Sequence, residues 1–135
     1  MNNQKEKRNS KNCFELEGNV SYISDIYINK NNKKMLKFDL GQNNNGYSQF
    51  IPITIKGKMV DSFGNAVKKG DWLSIKGRIS TYSKVVEKNG NTFKDKTIEI
   101  LGFEITDRTN NKMYTSDGEV QEISKISKSE DEIER

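Results

Sequence analysis

The stretch Gln49-Phe50-Ile51-Pro52-Ile53-Thr54-Ile55-Lys56-Gly57-Lys58 decides how this chain reads. Its apolar β-branched residues recur at every second position. Ile51, Ile53 and Ile55 fall on one face, and Phe50, Pro52, Thr54 and Lys56 on the other. A period of two is the signature of a strand with one buried face. Three isoleucines define the core side, so Phe50 and Lys56 are assigned to the opposite side. Pro52 is the only proline, and it has no N–H for a ladder. An edge or a bulge is expected where it sits.

The pattern repeats on either side. Phe14, Leu16 and Val20 alternate with Glu15, Glu17 and Asn19, giving a first strand with Gly18 inside it. Leu36, Phe38 and Leu40 give a second. The run Gly41 to Gly46 is expected to be the loop that hairpins it onto the third strand, Tyr47 to Lys56. Met59, Phe63 and Val67 are spaced by four, which reads as a short helix stopped by Gly70. Leu73, Ile75 and Ile79 make a fourth strand. A basic arm runs from Lys84 to Lys96, with Asn89-Gly90-Asn91 as its hairpin tip. Thr97 to Ile105 makes a fifth strand, with Ile98, Ile100, Phe103 and Ile105 expected inward across a kink at Gly102.

Composition agrees with a β-dominated domain. The chain has 135 residues, with 14 Ile against one Ala and five Leu. Ile, Val, Phe and Tyr favour strands, while Ala and Leu favour helices. Ile, Leu, Val and Phe together make only 31 residues, so a modest core is expected. There is no His, and Cys13 is the single cysteine. Histidine catalysis, histidine metal ligation and an internal disulfide are therefore excluded. No cofactor and no metal site are expected. No apolar run suits a membrane span or a signal peptide, and a cytoplasmic location is expected.

Charge is uneven. Residues 1–112 carry 20 basic and 12 acidic side chains, and residues 113–135 carry three basic and seven acidic. Residues 1–11 read as a disordered basic arm, 12–106 as the folded domain and 107–135 as an acidic, flexible tail. Within the tail, Val120, Ile123 and Ile126 have the spacing of a short amphipathic helix.

Five strands with a short helix between the third and fourth is the order of an oligonucleotide-binding (OB) barrel. A small open sandwich gives a similar pattern. At this point the residues resemble a known family. Residues 49–58 resemble the third-strand signature of the bacterial and phage single-stranded DNA-binding proteins, Asp-Phe-Ile-Asn-Val-Val-Val-Trp-Gly-Lys. Lys69-Gly70 followed by Leu73-Ser74-Ile75-Lys76-Gly77-Arg78-Ile79 resembles the next, Lys-Gly, a spacer, then Val-x-Val-Glu-Gly-Arg-Leu. Phe14 to Val20, Gly90 and Ile98 to Phe103 fit the opening strand and closing hairpin. The likeness covers residues 12–106. Lys56 replaces the expected aromatic, and Lys76 the expected Glu. The end, Glu130-Asp131-Glu132-Ile133-Glu134-Arg135, carries the family's acidic run and Ile without its Pro and terminal Phe.

The resemblance implies a non-enzymatic protein that coats single-stranded DNA in replication, recombination or repair. It also implies a homotetramer, with an acidic tail that recruits replication or repair proteins. A divergent member, carried by a phage or plasmid, fits the departures. An OB-fold protein adaptor and an RNA-binding OB module are the alternatives.

Sequence-tolerant binding needs cations for phosphates and aromatic faces for bases. The candidates are Lys37, Tyr47, Phe50, Lys56, Lys58, Arg78, Tyr82, Lys84, Phe93 and Lys94. Trp72 falls out of phase with Leu73 and Ile75, so it is assigned outward, to a subunit interface.

Overall fold

A computed structural model describes residues 8–123 of the chain. The elements are β1 (Phe14–Ile23), β2 (Tyr27–Ile28), β3 (Lys34–Asn44), β4 (Tyr47–Lys56), α1 (Met59–Ala66), β5 (Trp72–Lys88), β6 (Asn91–Asp107), β7 (Lys112–Thr115) and β8 (Val120–Glu122). β1 pairs with both β3 and β5, β3 pairs with β4, and β5 pairs with β6, all antiparallel. The ring closes where β4 meets β6 in parallel, at Thr54 and Leu101. This is a closed five-stranded barrel with one short helix between its third and fourth strands, the OB order.

Alternation builds the core. Val20, Leu36, Phe38, Leu40, Ile53, Ile55, Leu73, Ile75 and Ile105 point inward and are buried. α1 caps one end with Met59, Val60 and Phe63. The Phe63 ring lies 5.1 Å from the Phe38 ring. The helix stops at Val67, which turns extended. Gly70, expected as the stop, instead supplies the positive φ of 97° in the turn that enters β5.

Two turns are tighter than the sequence suggests. β3 and β4 run on to Asn44 and Tyr47, so the expected loop from Gly41 shrinks to Asn45-Gly46. Asn45 and Gly46 both have positive φ, as do Asn89 and Gly90 at the tip of the β5–β6 arm. Two left-handed residues match the natural twist of a hairpin, and Asn-Gly is the pair that tolerates them. Pro52 pairs with Asp39 without a register break, and its other side faces no strand. The edge expected of it is present, and the bulge is absent.

A bulge lies instead in β6. Lys76 pairs with Glu104 and Gly77 with Gly102, which leaves Phe103 unpaired. A Cβ on Gly77 would collide with the Leu101 carbonyl oxygen, so only glycine lets the two backbones approach here. Beyond this point the arm leaves the barrel. Ile79 and Ile98, assigned to the core by simple alternation, are 47% and 65% exposed, and the bulged Phe103 is also exposed. Ile100 and Ile105 pack as expected.

Residues 107–123 also differ from the expectation of a flexible tail. They form β7 and β8, which extend the sheet beyond β6. The amphipathic helix expected from Val120 onward is a strand through Glu122, and Ile126 lies outside the described residues. Tyr114 of β7 is 1% exposed and meets Phe63 edge-on at 5.7 Å. A second anchor is polar. The Asn110 side-chain amide donates to Asp107 (2.8 Å) and to Asp71 (3.1 Å). Asp107 also accepts the backbone N–H groups of Thr109 and Asn110. The turn after β6 is thereby tied to the turn before β5.

The Tyr114 hydroxyl is buried with no hydrogen-bond partner among the described residues. Burial raises its pKa above the ordinary 10.0, and the Asp107 and Asp71 carboxylates push the same way. Tyr114→Ala is therefore expected to destabilise the domain by about 3–5 kcal/mol in chemical denaturation. Tyr114→Phe keeps the ring and removes an unpaired polar group, so its change is expected within about 1 kcal/mol. The folded pKa is the higher one, so the wild type is expected to lose stability as pH rises past 10.0, and Tyr114→Phe to lose less.

Candidate nucleic-acid interface

Register defines the face that β4 turns away from the core. Lys37 lies opposite Thr54, Thr54 meets Leu101, and Leu101 lies opposite Arg78. These four form one transverse row across β3, β4, β6 and β5. Three strand spacings place Lys37 and Arg78 about 14 Å apart at the backbone. The next row holds Tyr22, Asp39 and Pro52. Phe50 follows opposite Gly41, with its ring close enough that a Cβ there would make ordinary contact with Phe50 Cε1 at 3.5 Å. Phe50 is 62% exposed, as its assignment to the solvent side required.

The arm continues this face. Arg78, Ser80, Tyr82, Lys84 and Val86 share it on β5, opposite Leu101, Glu99, Thr97, Asp95 and Phe93 of β6. Tyr82 and Phe93 are exposed here, one of them beside Lys84. Among the described residues, Lys37, Arg78 and Lys84 form no ion pair. Lys56 does, with its Nζ 3.2 Å from Glu99 Oε1. The arrangement can offer ring faces to bases and cations to phosphates along one surface.

Other candidates fall elsewhere. Tyr47 has the parity of Gln49 and Ile51, so it sits on the opposite side of β4 from Phe50, and its hydroxyl reaches Gln49. Lys94 lies opposite Val85 on the reverse of the arm. Lys58 precedes α1, packed by Gly118 of the β7–β8 turn. Asp117 of that turn is held below its ordinary pKa, first by the Thr115 hydroxyl, then by the Glu119 N–H and in smaller part by the Lys58 charge. Trp72 is outward and 44% exposed, and it ends the row that runs from Phe50 through Gly41 and Asn19, about 14 Å from Phe50 at the backbone. It pairs with Asn19, in a region where Arg108 faces Glu17. Asp71 belongs to the Asn110 network and Asp39 to the outer face, and the described residues contain no metal-binding cluster.

The sequence model of the single-strand binding protein family matches residues 11–106. The chain belongs to the single-strand binding protein family. Among solved structures, the fold is similar to the mitochondrial single-stranded DNA-binding protein Rim1 of S. cerevisiae. The TM-score is 0.54 at 16% identity, covering 71% of this chain and 93% of that one. No curated protein sequence matches the chain.

The family match ends before β7, so the strand that places Tyr114 in the core lies outside it. Tyr22 was missed by sequence reasoning. A register shift between Val20 and Tyr22 turns its side chain to the outer face beside Asp39, where it is 56% exposed. It lies two residues past the alternating run Phe14 to Val20, and the register shift that sets its side leaves no mark in the alternation.

A surface role for Phe50 makes a prediction of its own. Phe50→Ala is expected to change the denaturation midpoint little, by about 0.5 kcal/mol or less, because the ring leaves little core behind. A loss of several kcal/mol would place that ring in the core instead.

Proposed function

We propose that this protein binds and coats single-stranded DNA without strong sequence preference. The observation that carries the reading is the outer face of the barrel and arm. It sets Tyr22, Phe50, Tyr82 and Phe93 among Lys37, Arg78 and Lys84, cations that form no ion pair among the described residues, in a chain of the single-strand binding family. Each cation neutralises phosphate and releases counterions, which gives salt-sensitive capture. Each ring contributes stacking of about 1–3 kcal/mol per base, and because every base has a π face, sequence matters little. The protein works by binding rather than by catalysis, and its role is to hold strands open in replication, recombination or repair.

Homotetramer formation belongs to the same proposal. Ile79, Val85 and Ile98 line the reverse of the arm, all of them exposed, and such a stripe is suited to burial between copies. Trp72 is a second candidate contact. The acidic run at 130–134, proposed to recruit replication or repair proteins, lies outside the described residues.

Fluorescence anisotropy of labelled oligo-dT against duplex DNA of equal length, across a salt series, tests the reading. Preference for the single strand is expected, with a log–log salt slope near −2 if about three phosphates are neutralised. Phe50→Ala and Tyr82→Ala are each expected to lower affinity by about fivefold or more. Weak and equal binding to both DNAs would reduce the basic face to a generic charge effect and favour a protein-binding adaptor. Preference for oligo-U over oligo-dT would favour an RNA-binding module.

A further inference from the structure

The centre of the outer face carries a carboxylate. Glu99 lies on the same side of β6 as Leu101, and Lys56 on the same side of β4 as Thr54. β4 and β6 run parallel there, with Lys56 two residues beyond Thr54 and Glu99 two residues before Leu101. The 3.2 Å bridge between them is therefore diagonal, and it crosses the row that joins Lys37 to Arg78. Thr54, under that diagonal, is 4% exposed although it points outward. The Glu99 side chain is 13% exposed and the Lys56 side chain 36%, so the carboxylate is sheltered while the ammonium stays within reach of solvent. Such a pair is less screened than one at the open surface.

An arriving phosphate needs what Glu99 already supplies, an oxygen anion within ion-pair distance of the Lys56 ammonium. We propose that Glu99 competes with phosphate for Lys56 and so weakens the centre of the binding face, leaving Lys37 and Arg78 on its flanks as the cations open to the backbone. This rests on the single-strand-binding reading and assigns an affinity-setting role to a residue that makes no favourable contact with DNA. In binding, a phosphate at Lys56 must leave the Glu99 carboxylate unpaired. Uptake of a solution cation there offsets the counterion released from the DNA.

The test is the salt dependence of oligo-dT binding by the full chain. Glu99→Gln frees Lys56 with nearly the same shape. It is expected to tighten binding by about three- to tenfold at low salt and to steepen the log–log slope by about 0.7, the value for one more phosphate on a single strand. With Lys56→Gln already in place, Glu99→Gln is expected to leave the slope unchanged. Glu15→Gln makes the same charge change on another part of the barrel, where Glu15 faces Lys76, and is expected to shift affinity less than twofold. An unchanged slope in Glu99→Gln, or an equal gain in Glu15→Gln, would overturn the competition.

Lys56→Gln alone gives a second measurement that does not depend on how Glu99→Gln folds. Its slope is expected to stay at the wild-type value. A slope shallower by about 0.7 would show that Lys56 already holds a phosphate, and would also refute the proposal. If the wild type fails to prefer oligo-dT over duplex, the binding reading falls and the competition falls with it. If the wild type shows that preference while the slopes do not move, only the competition falls.

Discussion

Everything in this molecule depends on two backbones meeting where a side chain would not fit. β4 and β6 touch in parallel at Thr54 and Leu101, and that contact turns a curled sheet into a barrel. β5 and β6 come together beside it at Gly77 and Gly102, where a Cβ on Gly77 would strike the Leu101 carbonyl. A closed barrel leaves few open edges, so the strand ladders satisfy most of their own donors and acceptors. Closure also sets the core, since Ile53, Ile75 and Ile105 converge only when the ring is complete.

The outer face is a consequence of that closure. Lys37 and Arg78 lie far apart in sequence and on non-adjacent strands, and the Thr54–Leu101 contact brings them into one row. The same contact brings Glu99 to Lys56. The bulge at Phe103 then changes the phase of β6 between the barrel and the arm. Past that bulge, Tyr82, Lys84 and Phe93 continue the outer face, while Ile79, Val85 and Ile98 fall on its reverse. The extra residue thus lets β6 follow the unbroken alternation of β5 along the arm, with Lys94 on the same side as Val85 and Ile98.

Much of the fold was legible from period alone. The strand Tyr47–Lys56 runs between the limits its sequence suggested, with Ile53 and Ile55 inside and Phe50 outside, because a strand with one buried face leaves little freedom of register. The arm tip was legible because Asn-Gly tolerates two positive φ angles. The errors fell where alternation was broken by something non-local. Phe103 was assigned inward because the bulge is not visible in its sequence, while Ile79 and Ile98 keep the core-side phase of Ile75 and Ile100 but stand on an arm that runs past the barrel. The segment after residue 106 was read as a tail because its charge is acidic and its apolar residues are sparse. The β6–β7 ladder, the buried Tyr114 and the Asn110 network hold residues 107–123 to the body, and none of them shows as a periodic pattern.

The sequence by itself determined the five barrel strands and the short helix, the core-facing side of those strands up to the bulge, and the residue types available for stacking and for phosphate contact. Those properties are local, set by the pleat, by side-chain shape and by turn chemistry. Only the tertiary structure decided which of those residues stand together. It placed Tyr22, Phe50, Tyr82, Lys37 and Arg78 on one surface, removed Tyr47 and Lys94 to other faces, and gave Lys56 a carboxylate partner from a strand more than forty residues away. Such pairings depend on the parallel contact, on bulges and on barrel closure. These join residues through space, and no spacing along the chain encodes them.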